Sequence, residues 1–344
     1  MSRLATILMA LALCSACSTK RAFVHTWNAR YIEAARAQDQ GRWEEADAHY
    51  VQLVEHAPSD DARRAALYRQ ALLRAERGRT GDALRSFLAI HDEGVSDEHG
   101  ARSAQQAVAL LLEAGHTEHA VMLARSVVDV YPDFVAAEHA LHTLRSQAEG
   151  REEVLVWSSA LREIVRDARG TDLEDYALWE LGELCLESLG DAQCAIDAWR
   201  ALCALDFDVH HLADDGCYEV GVVLAERDQI EEALEVFGRV GGTYETSWYV
   251  GFYGSEWADD ARWAQGMIHL ERTRRFELAA GVFEAYLRDF PEHVKADDAA
   301  WMLARAYALM GDDGKRKRAL SELVERYPES RYVGRAKAAL NGAP

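Results

Sequence analysis

Proline is nearly missing from this chain: five in 344 residues, the last of them the terminal Pro344. Long uninterrupted helices are therefore permitted, because almost nothing removes a backbone donor from a helix interior. No apolar run beyond the first twenty residues approaches the roughly 18–20 residues that a membrane-spanning helix needs. Phosphate-binding loops, nucleophile elbows, cofactor fingerprints and paired catalytic carboxylates are absent, so no cofactor is expected. Cysteine is scarce and local, with Cys14 and Cys17 near the start and the other four between residues 185 and 217. Basic residues are outnumbered 38 to 58, for a net charge of −20. That excess disfavours nucleic acid and anionic headgroups as partners. It is also uneven: Thr171–Val240 holds 18 Asp/Glu against three Arg.

The first twenty residues stand apart. Arg3 supplies a positive start, Leu4–Leu13 is a short apolar run, and Cys14-Ser15-Ala16-Cys17 follows. About ten apolar residues are too few for a permanent span, so residues 1–16 read as a cleaved export signal and 17–26 as a tether. The junction resembles a bacterial lipobox, in which small residues precede a lipidated Cys. Ser15 and Ala16 fit that pattern, while Cys14 stands where Leu is usual. The resemblance implies a Cys17 whose acyl chains hold the protein on a membrane. Ser18 after it, by resemblance to enterobacterial sorting, implies the outer membrane, facing the periplasm. Cleavage after Ala16 is the other reading of the same residues and leaves a soluble periplasmic protein.

What is abundant is a repeat. In Gly41–Pro58, GRWEEADAHYVQLVEHAP, a Gly is followed five residues later by Ala46, then by Tyr50, Leu53 and finally Pro58. The skeleton returns around Ala83, Ala120, Val154, Ala195, Ala233, Ala279 and Arg316, at spacings of 37, 37, 34, 41, 38, 46 and 37 residues. Periods of this size demand paired helices rather than strands. Gly41, Gly78, Gly115, Gly190 and Gly311 lie five residues before the reference position, where a left-handed residue ends a helix. Tyr50, Phe87, Trp199, Phe237 and Phe283 lie four after it. Small residues (Ala34, Ala71, Gly182, Gly221, Gly266, Ala304) lie twelve or thirteen before it and let paired helices approach closely. Pro58, Pro132, Pro291 and Pro328 all sit twelve after it, where each stops a second helix.

This order of small residue, Gly turn, Ala, aromatic and Pro resembles the tetratricopeptide repeat, over residues 27–340. The resemblance implies an all-α fold, a right-handed superhelical solenoid of about eight antiparallel helix pairs. A capping helix near Tyr332–Leu340 and a tail at 341–344 complete it. Repeat four fits less well, with His142, Val154 and Ser158 at key positions, and Arg316 replaces the reference Ala in repeat eight. With the leader, the array is similar to the periplasmic tetratricopeptide lipoproteins of outer-membrane assembly, the BamD-like group. Eight units exceed what that group usually carries. The implied function is a non-enzymatic scaffold binding proteins or peptides of the cell envelope. An adaptor for a secretion or cell-wall complex, or a non-catalytic subunit of a cell-wall enzyme, is the alternative.

Four features are candidates for carrying function. Tyr31, Tyr68, His139, Trp179, Tyr218, Trp263 and Trp301 share a first-helix position that only Gln105 breaks. By the resemblance that position faces the groove, where aromatics grip a partner segment; the alternative is packing against neighbouring helices. The insertion Gly241–Glu256 crowds Tyr244, Trp248, Tyr249, Phe252 and Tyr253 among glycines, either to meet a partner or to patch an irregular junction. Cys194 and Cys203, nine residues apart on one helix, are separated by roughly 13.5 Å and cannot bond. Cys185 and Cys194 face each other across a short turn between antiparallel helices, so Cys185–Cys194 with Cys203–Cys217 is the favoured pairing; Cys185–Cys203 with a mismatched second pair is less comfortable, and four reduced core thiols are the alternative. His116/His119 and His139/His142 lack further ligands at metal spacing, and no metal is expected. Finally, Lys315-Arg316-Lys317-Arg318 opens the last second helix, a basic end on an acidic chain.

Overall fold

The computed structural model describes residues 26–148, 150–171, 173–206, 210–242, 245–247, 251–253 and 255–341. The export signal, Cys17 and the tether up to residue 25 lie outside the described residues, as do Tyr244, Trp248 and Tyr249 of the insertion. No helix among the described residues is long and apolar enough to cross a membrane.

The chain is a succession of helix pairs. The first four pairs are α1 (26–39) with α2 (Trp43–Glu55), α3 (Asp60–Glu76) with α4 (Thr80–His91), α5 (Glu98–Glu113) with α6 (Thr117–Val130), and α7 (Val135–Ser146) with α8 (Arg151–Asp167). The next four are α9 (Leu173–Glu183) with α10 (Ala192–Cys203), α11 (Ala213–Glu226) with α12 (Ile230–Gly241), α13 (Ala258–Met267) with α14 (Phe276–Asp289), and α15 (Ala296–Met310) with α16 (Asp313–Arg326). α17 (Val333–Leu340) closes the array. Two compact units divide between Ala177 and Leu178. Within each, neighbouring helices in the sequence pack on one another, α2 through α7 in the first and α10 through α17 in the second. The insertion forms an antiparallel hairpin, β1 (Glu245–Ser247) with β2 (Gly251–Tyr253), Thr246 opposite Phe252.

Each expected helix stop is observed. Gly41, Gly78, Gly115, Gly190 and Gly311 have φ between +64° and +76°. In the first pair, Arg42 N–H bonds back to Ala37 O and Gly41 N–H to Gln38 O, which satisfies carbonyls that the helix end would leave bare. Repeats six and seven lack the Gly, yet Asp228 (φ +63°) and Arg274 (φ +55°) take the same conformation. Asp tolerates it comparatively well; for Arg the left-handed well costs about 1–2 kcal/mol. Arg274→Gly is therefore expected to raise unfolding stability by about 0.5–1 kcal/mol, the relief being partly offset by the freer unfolded chain. Urea unfolding of the two proteins checks this; an equal or lower midpoint counts against it.

The reference alanines and second-helix aromatics form the core. Ala46, Ala83, Ala120, Ala195, Ala233 and Ala279 are fully buried, as are Tyr50, Phe87, Trp199, Phe237 and Phe283. In repeat four, Trp157 is buried one residue before the expected aromatic position, and it supplies the ring that Ser158 lacks. Its face carries Arg125, 4.5 Å from the ring centroid. The close approach of paired helices is literal: a Cβ on Gly182 would lie 2.2 Å from Trp199 Nε1, and one on Gly221 2.6 Å from Phe237 Cε1.

One irregularity was hidden in the sequence. The first helices of repeats five and seven end in π turns, Leu184–Ser188 and Ile268–Arg272. There the closing bond spans six residues, Asp191 N–H to Cys185 O and Arg275 N–H to His269 O, where Arg42 to Ala37 spans five. A π turn adds one residue without breaking the helix. Hence Gly182 and Gly266 lie thirteen before their reference alanines, where the other small residues lie twelve before.

Both expected disulfides are present. Cys185 in the first π turn bonds Cys194 in the first turn of α10, with Cα atoms 5.6 Å apart. Cys203 at the end of α10 bonds Cys217 in α11, at 4.5 Å.

Candidate functional site

The first-helix aromatics form a recurring pair with the second helix of their own repeat. Ring centroids are 6.1 Å apart for Tyr31–Tyr50 and 5.8 Å for Tyr68–Phe87, Trp179–Trp199, Tyr218–Phe237 and Trp263–Phe283. The π turns keep Trp179 and Trp263 in phase despite their one-residue offset. All six, Trp301 included, are half-buried. His139 is exposed, its Nδ1 2.9 Å from Val135 O. Where rings are missing, at Gln105 and His139, a slot of about 170 Å³ opens, walled by Val108, Leu112, Val127 and Ala136.

The six are not equally open. Tyr31 is stacked by Trp27 at 5.4 Å, and the Trp27 indole N–H donates to Leu53 O at 2.9 Å. Tyr218 is covered by Trp257, nearly parallel at 4.5 Å. Trp301 is covered by Tyr332, parallel within 6° at 4.9 Å. Tyr68 has His99 beside it at 6.2 Å. Among the described residues, Trp179 and Trp263 meet only rings of their own pair, Trp199 for the first and Phe283 with Tyr286 for the second. Of the six, Trp179 and Trp263, both in the second unit, are thus the two that no ring of a neighbouring element covers among the described residues. The covers follow from position: Trp257 and Tyr332 each immediately precede the next helix, and Trp27 opens the array.

An acidic clasp holds those covers. Leu212-Ala213-Asp214-Asp215, Trp257-Ala258-Asp259-Asp260 and Lys295-Ala296-Asp297-Asp298 open three successive first helices. Carboxylates there suit the positive end of a helix, and they reach to the next link. Asp215 accepts from Trp257 Nε1 at 2.9 Å, and Asp259 lies 3.3 Å from His293 Nε2. Asp260 pairs with Lys295, while Asp297 accepts from Ser330 Oγ at 2.7 Å and Asp298 from the Tyr332 hydroxyl at 2.6 Å. Part of the chain's acidity is therefore structural. The repeated x-Ala-Asp-Asp was the available signal for these clasps.

Electrostatics around Tyr218 are those of a half-dry acidic rim. Burial pushes the Tyr218 phenol up. The Glu219 carboxyl is raised by burial first and then by the charges of Glu183 and Asp215. Asp215 is raised by burial against the pull of its Trp257 hydrogen bond. Of the insertion, Phe252 and Tyr253 lie on β2, and the segment rejoins the array where Trp257 docks on Tyr218. Among the described residues no group of three or more His, Cys, Asp or Glu could hold a metal ion.

The tetratricopeptide repeat family matches residues 298–330, which is the α15–α16 pair and its flanks. No curated protein matches the chain. Among solved structures, a chain of the Naa15/Naa10 complex bound to HypK-THB is 15% identical, with a TM-score of 0.41 over 87% of this chain. This chain spans only 43% of that one. A tetratricopeptide repeat protein from Parabacteroides merdae is 13% identical, covering 81% of this chain and 98% of its own, with a TM-score of 0.36. PilF of Pseudomonas aeruginosa is 14% identical, covering 72% and 99%, with a TM-score of 0.38. What these likenesses share with this chain is an all-α helical repeat fold.

Proposed function

We propose that the chain is a non-enzymatic scaffold that binds a partner protein segment against the first helices of its second unit, with Trp179 and Trp263 as anchors. The observation that carries this is their state: large half-buried rings, rigidly backed by Trp199 and by Phe283 with Tyr286, and covered by no other ring among the described residues. Pre-ordered aromatics of this kind lose little entropy on binding and dominate interface energies. The acidic rim of Glu183, Asp215 and Glu219 between them favours a segment with basic side chains among its apolar ones.

The location we propose is the cell envelope, with Cys17 acylated on the outer membrane and the array in the periplasm. The export leader and lipobox-like junction support it, and two cystines suit an oxidising compartment. A role in outer-membrane protein assembly is the narrower form of this reading and rests on resemblance to the BamD-like group. Mass spectrometry of the mature N-terminus is expected to find diacyl or triacyl Cys17; a free Cys17 would leave a soluble periplasmic scaffold. For the binding surface, photoreactive benzoylphenylalanine at position 179 or 263 is expected to capture the same protein in cells. Equal capture from Val294, 81% exposed and in the link between α14 and α15, would refute the assignment.

A further inference from the structure

The last helix pair carries a second recess. α14, α15 and α16 enclose about 450 Å³. Its α15 wall is Leu303 and Tyr307, two and six residues beyond Trp301. At about 100° per residue they lie roughly 200° and 240° around the helix from Trp301. The recess is thus on the far side of α15 from the aromatic face.

Its lining combines an apolar floor with unspent positive charge. Leu287, Leu303 and Ala319 provide the floor. Lys315, Arg318 and Arg326 line it from α16, and none of them forms an ion pair with a carboxylate of the described residues. Lys315 Nζ rests 5.2 Å from the Tyr307 ring centroid, and the Arg326 guanidinium 5.9 Å from that of Tyr327. The neighbouring Arg288, by contrast, is held by Asp289 at 2.9 Å. Of the two acids present, Glu284 is engaged by the Tyr307 hydroxyl, which donates to it. Glu322, one turn beyond Arg318, makes no ion pair. The α16 terminus itself needs no outside anion, because Asp312 already accepts from Lys315 N–H at 2.9 Å.

In a chain of net charge −20, three cations that no carboxylate pairs outnumber the two carboxylates of the lining, Glu284 and Glu322, and leave the recess locally positive, a place that attracts acid from outside. The same net charge repels nucleic acid and an anionic bilayer at large. A concave, apolar-floored recess also fits a side chain better than a flat headgroup layer. We propose that this recess is a second protein-binding site, taking an acidic segment whose carboxylates pair with Lys315, Arg318 and Arg326 while an apolar side chain between them enters over Leu287 and Leu303. The array would then hold two partners, or two parts of one, the first at Trp179 and Trp263 and the second in this recess of α14, α15 and α16.

The test uses the full chain and a fluorescein-labelled eight-residue peptide of Asp and Glu around a single Leu, followed by anisotropy. Saturable binding is expected, weakened about tenfold by K315E with R318E and weakened again as salt screens the pairs. Replacing the peptide Leu by Ser should lower affinity severalfold, and Trp263→Phe should leave it unchanged. Both substituted cations are exposed, and circular dichroism verifies the fold; R326Q gives a milder version of the same loss. Equal peptide binding by the charge-reversed protein, absence of saturable binding, or binding to phosphatidylglycerol vesicles in place of the peptide would each overturn the proposal.

Discussion

Reducing both disulfides is expected to lower the melting temperature of the second unit by roughly 10–20 °C, from about 5–6 kcal/mol of lost stabilisation. Each closes a short ring, with sequence separations of 9 and 14. Chain-entropy arguments give about 3 kcal/mol for rings of that size. The need for them is local. Pro58, Pro132, Pro291 and Pro328 stiffen the links after repeats one, three, seven and eight, but Phe207 stands at that position after repeat five, as Val95, Arg166 and Glu245 do after repeats two, four and six. Cys203–Cys217 closes that link covalently. The first disulfide ties the π turn to α10, where an extra residue has already loosened the regular pattern. Calorimetry with and without a phosphine reductant, alongside C185S/C194S and C203S/C217S, separates the two contributions. An unchanged transition after both bonds are shown to be open would sink the argument.

Exchanging Trp179 and Trp263 together for Phe is expected to weaken partner capture more than tenfold while moving the melting temperature little. Two anchors of about 2 kcal/mol or more each make the double Ala exchange still more damaging to binding, on the order of a thousandfold. Ala alone does not decide the matter, because both rings also pack inside their own repeats. Truncating a fully buried Trp costs about 3–5 kcal/mol of stability, and a half-buried one a good part of that. Phe keeps a ring against Trp199 or Phe283 and removes the outward part of the indole. If the Phe protein captures its partner like the parent and only the Ala protein fails, the loss is one of folding and the tryptophans are not anchors.

Much of the architecture was legible because its signals are local and steric. A Gly that must be left-handed, an Ala that must be small and a Pro that cannot continue a helix are chosen by the backbone around them, wherever the repeat sits. The cystine pairing was legible for the same reason: helix rise forbids Cys194–Cys203, and short connections favour the two bonds seen. Asp228 and Arg274 were not, since tertiary packing holds them where local preference would place Gly. The π turns appeared only as a tolerance of one residue in spacing. The site was less legible. Half-burial of an aromatic is a sum over neighbours, and the covers on Tyr218 and Trp301 come from junction residues. The basic recess draws on three helices, and only its α16 charges stood out as a run in the sequence.

The two cystines also change what a broken backbone means. Cys185–Cys194 and Cys203–Cys217 close rings one after the other along the chain. A protease that cuts anywhere between Cys203 and Cys217, in the connection that leads from α10 into α11, opens the backbone without parting the pieces. Fragments would separate on a reducing gel and migrate as one chain on a non-reducing gel. The link after repeat five, which has no proline, is thereby held together after a cut of the kind to which loops are prone.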